Sequence, residues 1–166
     1  MKIGVVGLGS VGSAVFKVMS QYHTMVGYDV DGRGAIKEVL DTEAALVCVP
    51  TNGTDTGELD MSAVDVVCNE FNGRRYEGIV VLKSTLHPGT MDRLEIDYPN
   101  LKLVYMPEFL REKDAEEWFR APDRLVASGQ DRYVSDALEL FTWVPEDIPR
   151  LEMSHIEAEI AKLAHN

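Results

Sequence analysis

The sequence predicts an α/β protein built on a doubly wound, mostly parallel sheet. Three observations carry that expectation. Short β-rich runs alternate with helical patterns along all 166 residues. Most of the β-rich runs are continuously apolar, as strands covered on both faces are. No boundary, low-complexity tract or internal repeat divides the chain, so repeated β-α units with right-handed crossovers account for it.

The elements follow in order. Lys2–Val6 is the first strand, and Val11–Tyr22 the first helix, with Val11, Ala14, Val15, Val18 and Met19 at i, i+3, i+4, i+7 and i+8. Met25–Tyr28 and Ala44–Val49 are the second and third strands. Thr51–Asp60 is a polar loop at the carboxyl edge of the sheet, where such folds place their ligands. Met61–Phe71 is a helix with Met61, Val64, Cys68 and Phe71 on one face. Ile79–Leu82, Lys102–Tyr105 and Arg124–Ala127 are the remaining strands, and Tyr133–Phe141 and Met153–Ala164 the remaining helices. Trp143–Arg150, with its prolines, is a connector into the last helix, which is expected to dock through the apolar stripe Met153, Ile156, Ile160 and Leu163.

Composition limits the function. With 45% hydrophobic and 27% charged residues, a chain of this size buries roughly 70% of its unfolded surface and needs no staples. Sixteen basic against 28 acidic residues leave a net charge of -12, which argues against nucleic acid or an anionic membrane as partner. No apolar run approaches the ~20 residues of a span, and Met1–Gly7 has no leader-like region. Cys48 and Cys68 lie in apolar contexts and are expected in the core, which fits a reducing cytoplasm. His23, His87, His155 and His165 show no ligand spacing, so no metal site is expected.

Gly7-Leu8-Gly9-Ser10-Val11-Gly12 is a GxGxxG between an apolar strand and an amphipathic helix. Gly7 permits the tight turn, Gly9 lets backbone approach a pyrophosphate, and Gly12 lets helix pack on strand. The amides around Ser10 and Val11 and the positive helix end then meet the phosphates. Asp29 ends the second strand seventeen residues after Gly12, close to the ~20 expected of a ribose-binding acid. A carboxylate there accepts from ribose hydroxyls and repels a 2′-phosphate, which favours NAD over NADP. Arg33 is nearby, to stack on adenine or to meet a phosphate. Residues 1–150 thus read as a Rossmann dinucleotide-binding domain and 151–166 as the start of a connecting helix.

Further segments follow the later strands: Val49-Pro50-Thr51, then Lys83-Ser84-Thr85-Leu86-His87-Pro88-Gly89-Thr90, then Pro107-Glu108-Phe109-Leu110-Arg111-Glu112, then Asp123–Gly129. The chain closes on Lys162-Leu163-Ala164-His165-Asn166, a KxxxN. In this order they resemble the N-terminal domain of the UDP-glucose/GDP-mannose dehydrogenase family, over essentially the whole chain. PEFLRE and KxxxN are the most specific parts. The resemblance implies oxidation of the C6 alcohol of a nucleotide sugar, a UDP- or GDP-sugar, to a carboxylate with two NAD. It implies that Thr51 and Thr85 contact NAD, and that Thr85 and Glu108 hold a water near the reacting carbon, Glu108 taking part in proton transfer. Glu108, Phe109, Leu110, Arg111 and Glu112 line the sugar site, Glu112 also close to the nicotinamide, and Lys162 and Asn166 stabilise the oxyanion at C6.

Residue chemistry points the same way, because hydride loss from an alcohol needs a proton acceptor and a stabiliser of negative charge. Glu159, Lys162 and Asn166 fall at i, i+3 and i+7 and share one helix face. By spacing alone, Glu159 and Lys162 are an ordinary exposed pair, Thr90 a helix N-cap, and Arg111 a surface residue or a phosphate clamp. Both ligands are anionic, so Lys83, Arg111 or Lys162 is expected to offset the acidic field, and binding is expected to tighten with moderate salt.

The resemblance also implies a catalytic cysteine in a glycine-rich segment beyond KxxxN, a central dimerising helix and a C-terminal domain, all outside these residues. The isolated chain is therefore expected not to complete the oxidation. A fragment, a partner of a separately encoded half or a homodimer, and a non-catalytic NAD or nucleotide-sugar binding module all remain open. So does the NAD-binding half of a β-hydroxyacid-type dehydrogenase, although that reading leaves PEFLRE unexplained.

Overall fold

A computed structural model describes residues 1–166. Seven strands form one sheet: β1 Lys2–Val6, β2 Thr24–Tyr28, β3 Ala44–Val47, β4 Ile79–Leu82, β5 Lys102–Tyr105, β6 Leu125–Gly129 and β7 Arg150–Glu152. Their order is β2-β1-β3-β4-β5-β6-β7. The first five are parallel; β6 lies antiparallel on β5, with Tyr105 opposite Ser128, and β7 parallel on β6. The chain reverses its order of winding between β1 and β3, so their carboxyl ends diverge into a crevice.

The helices are α1 Ser10–Met19, α2 Ile36–Leu40, α3 Ser62–Gly73, α4 Thr90–Asp97, α5 Ala115–Arg120, α6 Asp131–Leu138 and α7 His155–His165, with a 3-10 turn over Glu112–Asp114. They cover both faces of the sheet. Successive strand residues alternate between two cores, Ala45, Val47, Val80, Leu82, Leu103 and Tyr105 in one and Ala44, Leu46, Val81 and Val104 in the other. That is why the central strands are apolar throughout.

Three features depart from the sequence reading. Only β2 lies outside β1; the chain after it makes a bend bridged from Tyr28 to Gly34 and then the short α2. The connector into the last helix holds a strand, β7, whose ladder to β6 gives it order that its own three residues do not encode. The docking face of α7 is also not its apolar stripe. Ile156 and Ile160 are 43% and 52% exposed and Met153 and Leu163 only half-buried, whereas Ala158, Glu159 and Lys162 are buried. Polar partners, described below, wait on the inner side and outweigh the stripe.

Candidate functional site

The glycine loop is shaped by steric demand. Gly7 has φ +88, and a Cβ on it would lie 2.6 Å from the carbonyl oxygen of Cys48. A Cβ on Gly12 would collide with the carbonyl oxygen of Gly7. A Cβ on Gly9 would meet nothing within 4 Å, because it would project into open space over the loop. Gly9 is also the N-cap of α1 and supplies no side-chain cap. The first amides of α1 therefore lack an intrahelical acceptor and face outward as an anion site.

The Leu8 peptide between these glycines is held at both ends. Its N–H donates to Asp29 Oδ2 at 2.7 Å, and its carbonyl accepts from Ser13 Oγ at 2.7 Å and Arg33 Nη2 at 2.9 Å. Asp29 Oδ1 accepts from the Asp31 amide at 3.1 Å, and Arg33 also pairs with Asp31 at 2.9 Å. Asp29 thus sits where the loop meets the second strand. Arg33 is exposed beside the loop, held by Leu8 O and by Asp31.

A cleft of about 720 Å³ runs from this loop across the ends of β1, β3 and β4 to the last turn of α7. Gly7, Gly9, Ser10, Val11 and Asp29 line one end; Thr51, Thr85, Glu108, Leu110, Glu112, Lys162 and Asn166 line the rest. Gly12 lies buried beneath the loop. The cleft's volume is that of a small-molecule site. The open cradle at Gly9, the uncapped amides and the carboxylate of Asp29 fit a dinucleotide, so the residues present suit NAD.

Side chains stitch the cleft walls to the sheet. Thr51 Oγ1 donates to Thr85 O at 2.6 Å, and Ser84 Oγ to Val49 O at 2.7 Å, which ties the end of β3 to the end of β4. Thr90 is not the cap of α4: Gly89, with φ +91, holds that place, and Thr90 Oγ1 donates back to His87 O at 2.6 Å. The cap function falls to Glu159 of α7. Its carboxylate is fully buried and accepts from the amides of Gly89 at 2.7 Å and Met91 at 2.8 Å. The expected exposed pair of Glu159 and Lys162 is therefore replaced by two buried groups with separate partners.

At the cleft floor Lys83 Nζ lies 2.9 Å from Glu108 Oε2, and their side chains are 3% and 14% exposed. Lys162 Nζ donates to Asn166 Oδ1 at 2.8 Å and lies 5.7 Å from the ring centroid of Phe109. Burial pushes the Lys162 ammonium below its usual pKa; Glu108 opposes that and Lys83 adds to it. Burial pushes the Cys48 thiol up to about 12, so this half-buried cysteine in the cleft wall is held as an unreactive thiol. Phe109 packs edge-on against His165 and under Arg124 rather than opening into the cleft. Arg111 is exposed over Trp118 and is not in the cleft lining.

The local cations expected to offset the acidic field thus reduce to Lys162. Lys83 is spent on Glu108, and Arg111 points elsewhere. Sequence reasoning missed the roles of Lys83 and Glu159. A charged residue continuing an apolar strand was a signal for Lys83; nothing in the pattern of α7 marked Glu159 as a cap. No group of three or more His, Cys, Asp or Glu is arranged for a metal, and no helix is long and apolar enough to cross a membrane.

Known proteins share this fold over nearly the whole chain. The family described as "UDP-glucose/GDP-mannose dehydrogenase family, NAD binding domain" matches residues 33–143. UDP-glucose 6-dehydrogenase AglM of Haloferax volcanii is 26% identical across 100% of this chain and 50% of its own length. UDP-glucose 6-dehydrogenase of Rickettsia typhi is 31% identical over 76% of this chain and 31% of its own. A ternary complex of GDP-mannose dehydrogenase from Pseudomonas aeruginosa superposes with a TM-score of 0.84 at 25% identity, covering 99% of this chain and 49% of that one. A UDP-glucose dehydrogenase from Pyrobaculum islandicum gives 0.83 at 28% identity, covering 98% and 48%. The chain spans about half the length, or less, of the relatives it matches.

Proposed function

The chain belongs to the UDP-glucose/GDP-mannose dehydrogenase family, as its NAD-binding domain, and from that premise we propose that it serves the oxidation of a nucleotide sugar at its C6 alcohol. NAD, when bound, supplies the hydride acceptor. The amides of Gly9, Ser10 and Val11 hold its diphosphate, Asp29 its adenosine ribose, and Thr51, Thr85 and Glu112 the nicotinamide half. Glu108 takes the proton that the alcohol, or a water held with Thr85, gives up as hydride leaves. Lys162 and Asn166 face the developing oxyanion, with a cation and an amide on one helix turn. Glu108, Leu110, Glu112, Lys162 and Asn166, which line the cleft, form this domain's share of the sugar site, and Phe109 and Arg111 support that wall from outside it.

We assign the chain through β7 to the dinucleotide-binding domain, so that the boundary expected after residue 150 moves past Glu152, and α7 to the start of a helix that joins it to the parts of the family that carry the catalytic cysteine. The parts of the family that lie outside these residues, the catalytic cysteine among them, complete the reaction. The substrate is a UDP- or GDP-sugar, and two unpaired cysteines support a cytoplasmic setting.

The observation that carries the reading is the cleft, which joins an uncapped glycine loop to the Glu108–Lys83 pair and to Lys162–Asn166. Calorimetric titration with NADH, NADPH and UDP-glucose tests it. NADH is expected to bind more tightly than NADPH, and more tightly at moderate than at low salt. A folded chain that ignores NADH at millimolar concentration would falsify it. Turnover of UDP-glucose and NAD by the isolated chain would overturn the need for a completing partner.

A further inference from the structure

Lys83 ends the apolar run of β4, and its main chain still belongs to the sheet: its N–H donates to Val47 O at 2.9 Å. Its ammonium lies 5.4 Å and 5.7 Å from the ring centroids of Phe141 and Phe119. Those rings wall one side, so the ammonium has a single counter-charge within reach, the Glu108 carboxylate at 2.9 Å. Burying an ammonium is costly unless it is paired, and Glu108 supplies that pairing. Glu108 Oε2 is enclosed, and Lys83 Nζ is its ion-pair partner. Lys83 therefore neutralises the carboxylate through its buried oxygen.

Lys162 lines the same cleft as this pair. Glu108 favours its charged form and Lys83 disfavours it. Both lysines thus feel one anion, Lys83 in direct contact with it.

We propose that Lys83 is a positioning residue for the proton-transfer site: walled by two aromatic rings, it fixes the Glu108 carboxylate at the cleft floor through the buried Oε2, and tempers the charge that Glu108 presents to Lys162. This rests on the roles given above to Glu108 and Lys162. It also explains why a lysine, and not an apolar residue, continues β4.

Nitrogen-15 NMR of labelled lysines in the full chain reads both ammonium groups. In the unmodified chain Lys83 gives a solvent-protected ammonium signal. Lys83→Met keeps the stem and removes the charge, so the titration midpoint of Lys162 rises by about 0.5–1 pH unit. Lys83→Arg keeps the charge and leaves that midpoint near its original value. A purely packing role moves neither. Should Lys83→Met fail to fold, the double variant Lys83→Met with Glu108→Gln removes both charges and folds again, since no unpaired ion stays buried. An unmoved Lys162 midpoint, a freely exchanging Lys83 ammonium, or, where Lys83→Met does not fold, a double variant that does not fold either overturns the proposal. NADH titration of the unmodified chain is read separately: its failure removes the cofactor reading and leaves the NMR result to be judged on its own.

Discussion

Replacing Glu159 with alanine separates the observed docking of α7 from the one its apolar stripe suggests. The carboxylate is fully buried and accepts two amide hydrogen bonds at the start of α4, at 2.7 and 2.8 Å. Hydrogen bonds to a charged group contribute about 1.5–3 kcal/mol each. Allowing for water entering the gap and for the lost interaction with the helix dipole, Glu159→Ala is expected to cost about 3–5 kcal/mol. Glu159→Gln keeps one neutral acceptor and should cost about half of that. For a chain of this length the alanine variant then melts on the order of 10 °C lower. Ile160 is the counter-test. At 52% exposed it should accept lysine with a change within about 0.5 kcal/mol. Urea unfolding of the three variants measures all of this, with unchanged slopes as the check on two-state behaviour. A loss below about 1 kcal/mol for Glu159→Ala, or a larger loss for Ile160→Lys, would refute the assigned inner face of α7.

Three further expectations follow from the site and the core. Gly9→Val should leave the chain folded at a cost of about 1 kcal/mol or less, that of a valine at an N-cap whose Cβ meets nothing within 4 Å, yet weaken NADH at least tenfold by filling the cradle; Gly12→Ala should instead disturb folding, and equal effects of the two would sink the division of roles. Asp29→Ala should weaken NADH by about tenfold and NADPH by less, because it removes both a ribose acceptor and a repulsive charge; it also frees the Leu8 amide, so unfolding and titration are run together, and an unchanged preference removes the role of Asp29. Burial pushes the Cys68 and Cys48 thiols up to about 12 from 9.0, and the Tyr76 phenol up to about 12 from 10.0. With folded values above unfolded ones, their contribution is whole below about pH 9 and is lost as pH rises towards about 12, by up to ~1.4 kcal/mol per pH unit for the fully buried Cys68. Urea midpoints under reducing conditions that stay flat from about pH 8 to about pH 10.5 would contradict this.

How much was legible in the sequence follows from how local each cause is. The glycine loop was fully legible because its demands arise within the GxGxxG segment and the strand beside it. The parallel strands were legible as apolar runs because both faces are covered; β1, β4 and β5 fall where the runs do. β7 was not, since three residues with one apolar side chain carry no periodicity, and its order comes from pairing with Leu125–Ala127. The five and six residues of α2 and α5 are likewise too short for a helical pattern to stand out. The direction of β6 is set by how the Met106–Arg124 connection returns, which no residue type announces. Lys83 and Glu108 are separated in sequence and meet only because β4 and β5 are parallel neighbours. The face of α7 was misjudged for a related reason: hydrophobicity ranks side chains against water, whereas Glu159 found two free amides of α4, which are better partners than water.

The assignment rests most heavily on the bare amides at the start of α1. Adding NADH to the nitrogen-15-labelled chain and following its amide resonances tests them directly. Saturable shifts concentrated at Gly9, Ser10 and Val11 and at the end of β2 near Asp29 are the expected result. Shifts that leave these residues untouched, or gather elsewhere on the surface, would contradict it.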